Sequence, residues 1–120
     1  MATAEDLTRF AFRLPEVEER PHFERSSFRV ALPKGKIFAT LPKDGLTANL
    51  MLTREQQDIL CAAEPTVFSP LQNKWGEKGA TLVALEQADA KTLLSALVLA
   101  WKNAAPDKHW ALLETVDLTL

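Results

Sequence analysis

The chain has 120 residues, one ordinary domain's worth, and its 47% apolar and 25% charged residues are an average soluble-globular composition. A formal net charge of −2 argues against a strongly basic nucleic-acid binder, and the single cysteine, Cys61, excludes an intramolecular disulfide framework and a cysteine-based zinc site. No apolar run approaches the ~20 residues of a membrane span, and the N-terminus lacks a basic-then-apolar signal pattern, so a cytoplasmic protein without membrane contact is expected.

The net charge hides an asymmetry. Residues 1–19 carry two basic and five acidic groups, whereas residues 20–43 carry six basic groups and one acidic. Such a distribution can place a basic face on an acidic protein, or be no more than a solvated strand face in a mixed-charge surface.

In chain order, Thr3 and Asp6 form a capping-box-like helix start, and Leu7, Phe10, Ala11 and Leu14 follow at i, i+3, i+4, i+7 as one apolar stripe. Pro15 ends that helix. Glu16–Arg20 is polar, a connection or the start of an edge strand, and His22-Phe23 can add a short strand. Three strands follow. Ser27–Leu32 places Phe28, Val30 and Leu32 on one face, and Lys36–Leu41 places Ile37, Ala39 and Leu41 opposite Phe38 and Thr40. Leu46–Leu52 alternates Leu46, Ala48, Leu50 and Leu52 with Thr47, Asn49 and Met51. The turns between them are Pro33-Lys34-Gly35, with Gly35 free to take positive φ, and Lys43-Asp44-Gly45, an Asp-Gly hairpin signal.

Thr53 and Gln56 cap a second helix with Ile59, Leu60 and Ala63 as its buried face and Cys61 as a small core residue. Thr66–Leu71 reads as an edge strand or loop because of Pro70. Gln72–Gly79 reads as a loop and Ala80–Leu85 as a strand. The longest helix spans about Asp89 to Ala104, with Leu93, Leu94, Leu97, Val98 and Trp101 on the face that crosses a sheet. Pro106 ends it. Residues 107–120 are too apolar for a free tail and are expected to form a short helix or turn and then an extended end, packed on the domain or on a partner. The expectation is a single α+β domain over residues 1–120, an antiparallel sheet of four or five strands with helices mainly on one face.

Two constellations point to binding. Lys34 and Lys36 flank one turn and Lys43 sits at the next, and Arg25 or Arg29 can enter from the face of the strand that precedes them. These side chains can reach phosphates, although lysines at turns also serve as plain solubilising and edge-guarding residues. Trp75 in the loop can stack on a base or ligand. There Gly76 and Gly79 would let backbone amides approach an anion, and Lys74 and Lys78 add charge. The competing reading of Trp75 is a plug at the core edge. A pocket lined by His22, Arg29, Trp75 and Gly76 is the alternative site. His22 and His109 have no second ligand at metal spacing, and no nucleophile–base set or carboxylate pair can be assembled. The expectation is therefore a non-enzymatic protein with no metal or cofactor, and its oligomeric state stays open.

A resemblance adds to this. Taken in order, the residues are His22-Phe23, Ser27-Phe28-Arg29-Val30, Lys36-Ile37-Phe38-Ala39-Thr40-Leu41, Asn49-Leu50-Met51-Leu52 and Glu55-Gln56-Gln57. Glu64-Pro65, Trp75-Gly76-Glu77-Lys78-Gly79 and Ala100-Trp101 with Pro106 complete the series. Together they resemble the MmcQ/YjbR family (DUF419-type) over roughly residues 5–106. The chain departs from that pattern at Ala80, where an aromatic is common, and in its longer C-terminal extension. The resemblance implies a CyaY-like α+β fold and a "double wing" DNA-binding arrangement of projecting hairpins and loops. One family member, from a mitomycin gene cluster, implies in addition an accessory role in a resistance or biosynthetic operon.

Overall fold

Local capping and apolar stripes fix the two helices that carry the core. In the computed structural model, which describes residues 1–22 and 24–120 with His22 as backbone only, helix α1 runs Ala4–Arg13. Its start is a closed capping box: the Thr3 hydroxyl accepts from the Asp6 amide, and the Asp6 carboxylate accepts from the Thr3 amide. That backbone hydrogen bond from Thr3 holds the Asp6 carboxyl below the ordinary carboxylate value. Leu7, Phe10, Ala11 and Leu14 are all buried, as the spacing predicts. Helix α4, Ala90–Ala104, is capped by Asp89 and crosses the sheet over its central strands.

The described residues form a sheet of six strands, all antiparallel. They are β1 (Val17–His22), β2 (Arg25–Val30), β3 (Ile37–Pro42), β4 (Thr47–Met51), β5 (Phe68–Pro70) and β6 (Ala80–Ala84), in spatial order β1-β2-β3-β4-β6-β5. The expected four or five strands fall short because β1 holds one strongly apolar residue, Val17, and contains Pro21. It forms at the edge through its backbone ladder with β2, where periodicity has nothing to report. β5 is the other edge, and Pro70 sits on it.

Strand β3 departs from simple alternation. The register pairs Phe28 with Ala39 but Arg29 with Ile37, so Phe38 is an extra residue in a β-bulge. Phe38 and Ala39 therefore both enter the core, and Ile37 turns to the opposite face, the reverse of its expected placement. Leu46 is exposed in the turn before β4, not on the core face. The β2–β3 turn is also corrected: Lys34 takes the positive φ of 65°, and Gly35 is required because a Cβ there would lie 2.0 Å from the Val30 carbonyl oxygen.

Helix α2, Arg54–Ala63, opens with the Thr53–Gln56 capping box. Ile59 and Ala63 are exposed, so the expected buried face narrows to Leu60 and Cys61, which are half-buried and pack against the core. What α2 buries is Gln57, whose amide donates to the carbonyls of Gly76 and Ala80 at 2.9 and 3.0 Å. Burial pushes the Cys61 thiol pKa up, with Asp58 adding to the effect.

Beyond Pro106 a 3-10 helix covers Asp107–Thr115, and residues 116–120 follow without regular secondary structure. Leu113 and Leu118 pack against the core, and the Arg13 guanidinium donates to the carbonyls of Asp117 and Thr119. The extension thus lies on its own domain. Helices α1 and α4 cover one face of the sheet, leaving the other face open between β1 and β6.

Candidate binding groove on the open sheet face

Strand pairing decides which residues reach the open face. Phe28, Ala39 and Leu50 lie side by side across β2, β3 and β4 and are fully buried beneath the helices. The next row along, Ser27, Thr40, Asn49 and Leu82, must point the other way. Thr40 and Asn49 of that row floor a groove of about 860 Å³, lined also by Arg25, Lys36, Ile37, Met51 and Trp75. Thr40 and Asn49 are 8% and 7% exposed, deep between longer neighbours. The Thr40 hydroxyl has no hydrogen-bond partner among the described residues. Glu24 sits at the rim as the one carboxylate in the lining.

Trp75 is carried by a short helix, α3 (Lys74–Lys78), where the sequence suggested a loop. The Asn73 side chain caps it by accepting from the Gly76 amide. Gly76 packs so closely on the preceding chain that a Cβ would lie 1.8 Å from the Leu71 carbonyl oxygen. Gly79 ends the helix at φ 125°, with its amide donating to the carbonyls of Gly76 and Trp75. Both amides are thus engaged within the fold, and the glycines serve packing and chain reversal in place of an anion cradle. Trp75 itself is 66% exposed, which removes the core-plug reading, and the Lys78 ammonium lies 5.5 Å from its ring centroid.

The sequence-predicted cations divide. Arg25 and Lys36 line the groove; Lys36 stands opposite Val30, five positions along β2 from Arg25, or about 17 Å at strand rise. Arg29 lies half-buried on the same face, its guanidinium donating to the Gly35 carbonyl at 3.4 Å. Lys34 and Lys43 occupy successive turns of a meander and so stand at opposite ends of the sheet. Lys74 and Gly76 line a separate cleft with Arg54 and Gln57. The His22 side chain, part of the predicted pocket, and Phe23 lie outside the described residues. Thr40, Asn49 and Asn73 were not anticipated, although a polar Asn49 in the middle of an apolar strand was a usable signal. Among the described residues no group of three or more His, Cys, Asp or Glu side chains is placed to hold a metal ion. Among the described residues no helix is long and apolar enough to cross a membrane.

The fold and groove define an α+β domain that covers one sheet face with helices and leaves the other concave and accessible. The YjbR family model matches residues 12–103, and the chain belongs to that family. Its structure is similar to the crystal structure of Deinococcus radiodurans protein DR2400, a DUF419 domain. The TM-score is 0.71 at 23% identity, covering 100% of this chain and 93% of that one, and it supports the fold. A search of the curated proteins gives no match.

Proposed function

We propose that the protein is a non-enzymatic nucleic-acid-binding domain whose open sheet face is the contact surface. The observation that carries the reading is the placement of an exposed Trp75 beside a groove with Arg25 toward one end and Lys36 toward the other. Cations so spaced suit a phosphate backbone, and an exposed indole suits the faces of bases. The described lining supplies two cations, one carboxylate, amides, a hydroxyl and apolar surface, a set suited to holding a ligand. The mildly acidic whole protein makes such binding weak and local rather than broad.

Fluorescence anisotropy with labelled oligonucleotides at about 50 and 200 mM salt tests this. Neutralising two phosphates predicts a loss of roughly tenfold over that range. Arg25→Glu with Lys36→Glu should abolish binding at the lower salt. Lys91→Glu with Lys108→Glu, an equal charge change away from the groove, should leave most of it. No binding at low salt, or equal losses from the two pairs, would sink the reading.

A second reading, a small-molecule site, is favoured by one observation. A groove of about 860 Å³ falls within the range of small-ligand pockets, roughly 300–1,000 Å³. Thermal-shift screening addresses it, and the idea fails if no compound raises the melting temperature of the wild type while sparing Trp75→Ala.

A further inference from the structure

Resting on the nucleic-acid reading above, we propose that the groove holds an unpaired base. The Thr40 hydroxyl and the Asn49 amide at the floor read its edge, so the protein takes single strands in preference to duplex. Thr40 and Asn49 are directly paired across β3 and β4, which sets their side chains next to each other on one face. The Thr40 hydroxyl oxygen is fully buried without a partner among the described residues, so a turn about χ1 has to bring it to the groove for a ligand to meet it. Such a group lowers the stability of the free protein, and a ligand that completes its hydrogen bond recovers the loss. A hydroxyl beside an amide offers donor and acceptor capacity side by side, as the edge of a nucleobase does.

The walls argue in the same direction. Ile37, Met51 and Leu71 are apolar, and Trp75 presents an open ring at the rim. Phosphates gain nothing from such walls. A duplex turns its phosphates outward and keeps its bases stacked and paired, so it reaches neither the floor nor the indole. An unstacked base has a flat face for Trp75, an edge for Thr40 and Asn49, and a backbone free to meet Arg25 and Lys36.

The experiment compares three labelled 12-mers at low salt: a single strand, the same strand with its central bases removed, and the matched duplex. The single strand should bind at least tenfold tighter than either of the others, within the range stacking provides. Trp75→Ala should cost the single strand about tenfold. Thr40→Val, which keeps shape and removes the hydroxyl, should cost about fivefold on the single strand and nothing on the abasic one. A melting temperature for Thr40→Val at or above wild type shows that the fold is intact. Duplex binding equal to or tighter than single-strand binding overturns this inference alone, as does an abasic strand that binds as well as the normal one. Absence of binding to all three removes the nucleic-acid reading together with it.

Discussion

Gly76→Ala is expected to lower the melting temperature by roughly 10 °C or more, corresponding to about 3 kcal/mol in a domain of this size. The added methyl would sit 1.8 Å from the oxygen, 2.6 Å from the carbon and 2.9 Å from the nitrogen of Leu71, all backbone atoms. A flexible side chain can swing aside from an intruding methyl, but a main chain leading out of a sheet edge cannot. Relief requires α3 to lift away, and that breaks the hydrogen bond from Gln57 to the Gly76 carbonyl. Gln57 is buried and keeps only its bond to the Ala80 carbonyl, so the unpaired N–H adds a cost of about 1–3 kcal/mol. Because α3 carries Trp75, the variant should also lose ligand affinity at temperatures where it is still folded. A melting temperature within about 3 °C of wild type would mean that the Leu71–Gly76 approach is looser than described.

Trp101→Ala should cost about 3–5 kcal/mol, enough to leave a domain of ordinary stability largely unfolded at 37 °C. Trp101 is fully buried where α4 meets the sheet, and its indole N–H donates to the Pro15 carbonyl at 2.9 Å. Two effects are joined there: a large cavity, and a carbonyl at the exit of α1 left without a donor. Trp101→Phe separates them by keeping most of the volume while stranding the carbonyl, and should cost about 1–3 kcal/mol. Urea titration of both variants measures the split. Equal costs would show that the hydrogen bond, not the ring volume, dominates at this site.

The elements with local causes were legible in the sequence. Both capping boxes, the α1 stripe, the long α4 helix and the meander of β2, β3 and β4 follow from spacing and turn chemistry. The β3–β4 turn is centred between Asp44 and Gly45, so residues equidistant from it pair, and Thr40 opposite Asn49 was open to deduction. Three features were not legible. The bulge at Phe38 inverts the expected sides of Ile37 and Phe38, and nothing in a run of six largely apolar residues marks where an extra residue sits. Strand β1 is held by its backbone, which leaves no apolar periodicity. The burial of Gln57 depends on two carbonyls 19 and 23 positions away, which only the folded chain brings within reach. Of the candidate site, Arg25, Lys36 and Trp75 came from the sequence, whereas its polar floor required knowing which sheet face the helices leave bare.

The clasp between Arg13 and the carbonyls of Asp117 and Thr119 joins positions 104 and 106 residues apart. Contacts so distant along the chain are unfavourable until α1, the sheet and α4 bring their ends together, because the loop to be closed is nearly the entire molecule. Few apolar groups hold the last five residues, of which Leu118 packs on the core and Leu120 is exposed. In kinetic terms this segment docks last and undocks first, an opening with its own small free energy beneath that of global unfolding. Time-resolved amide exchange would see it as a fast, independently exchanging unit at the C-terminus, released by Arg13→Ala while protection in β3 and β4 is unchanged.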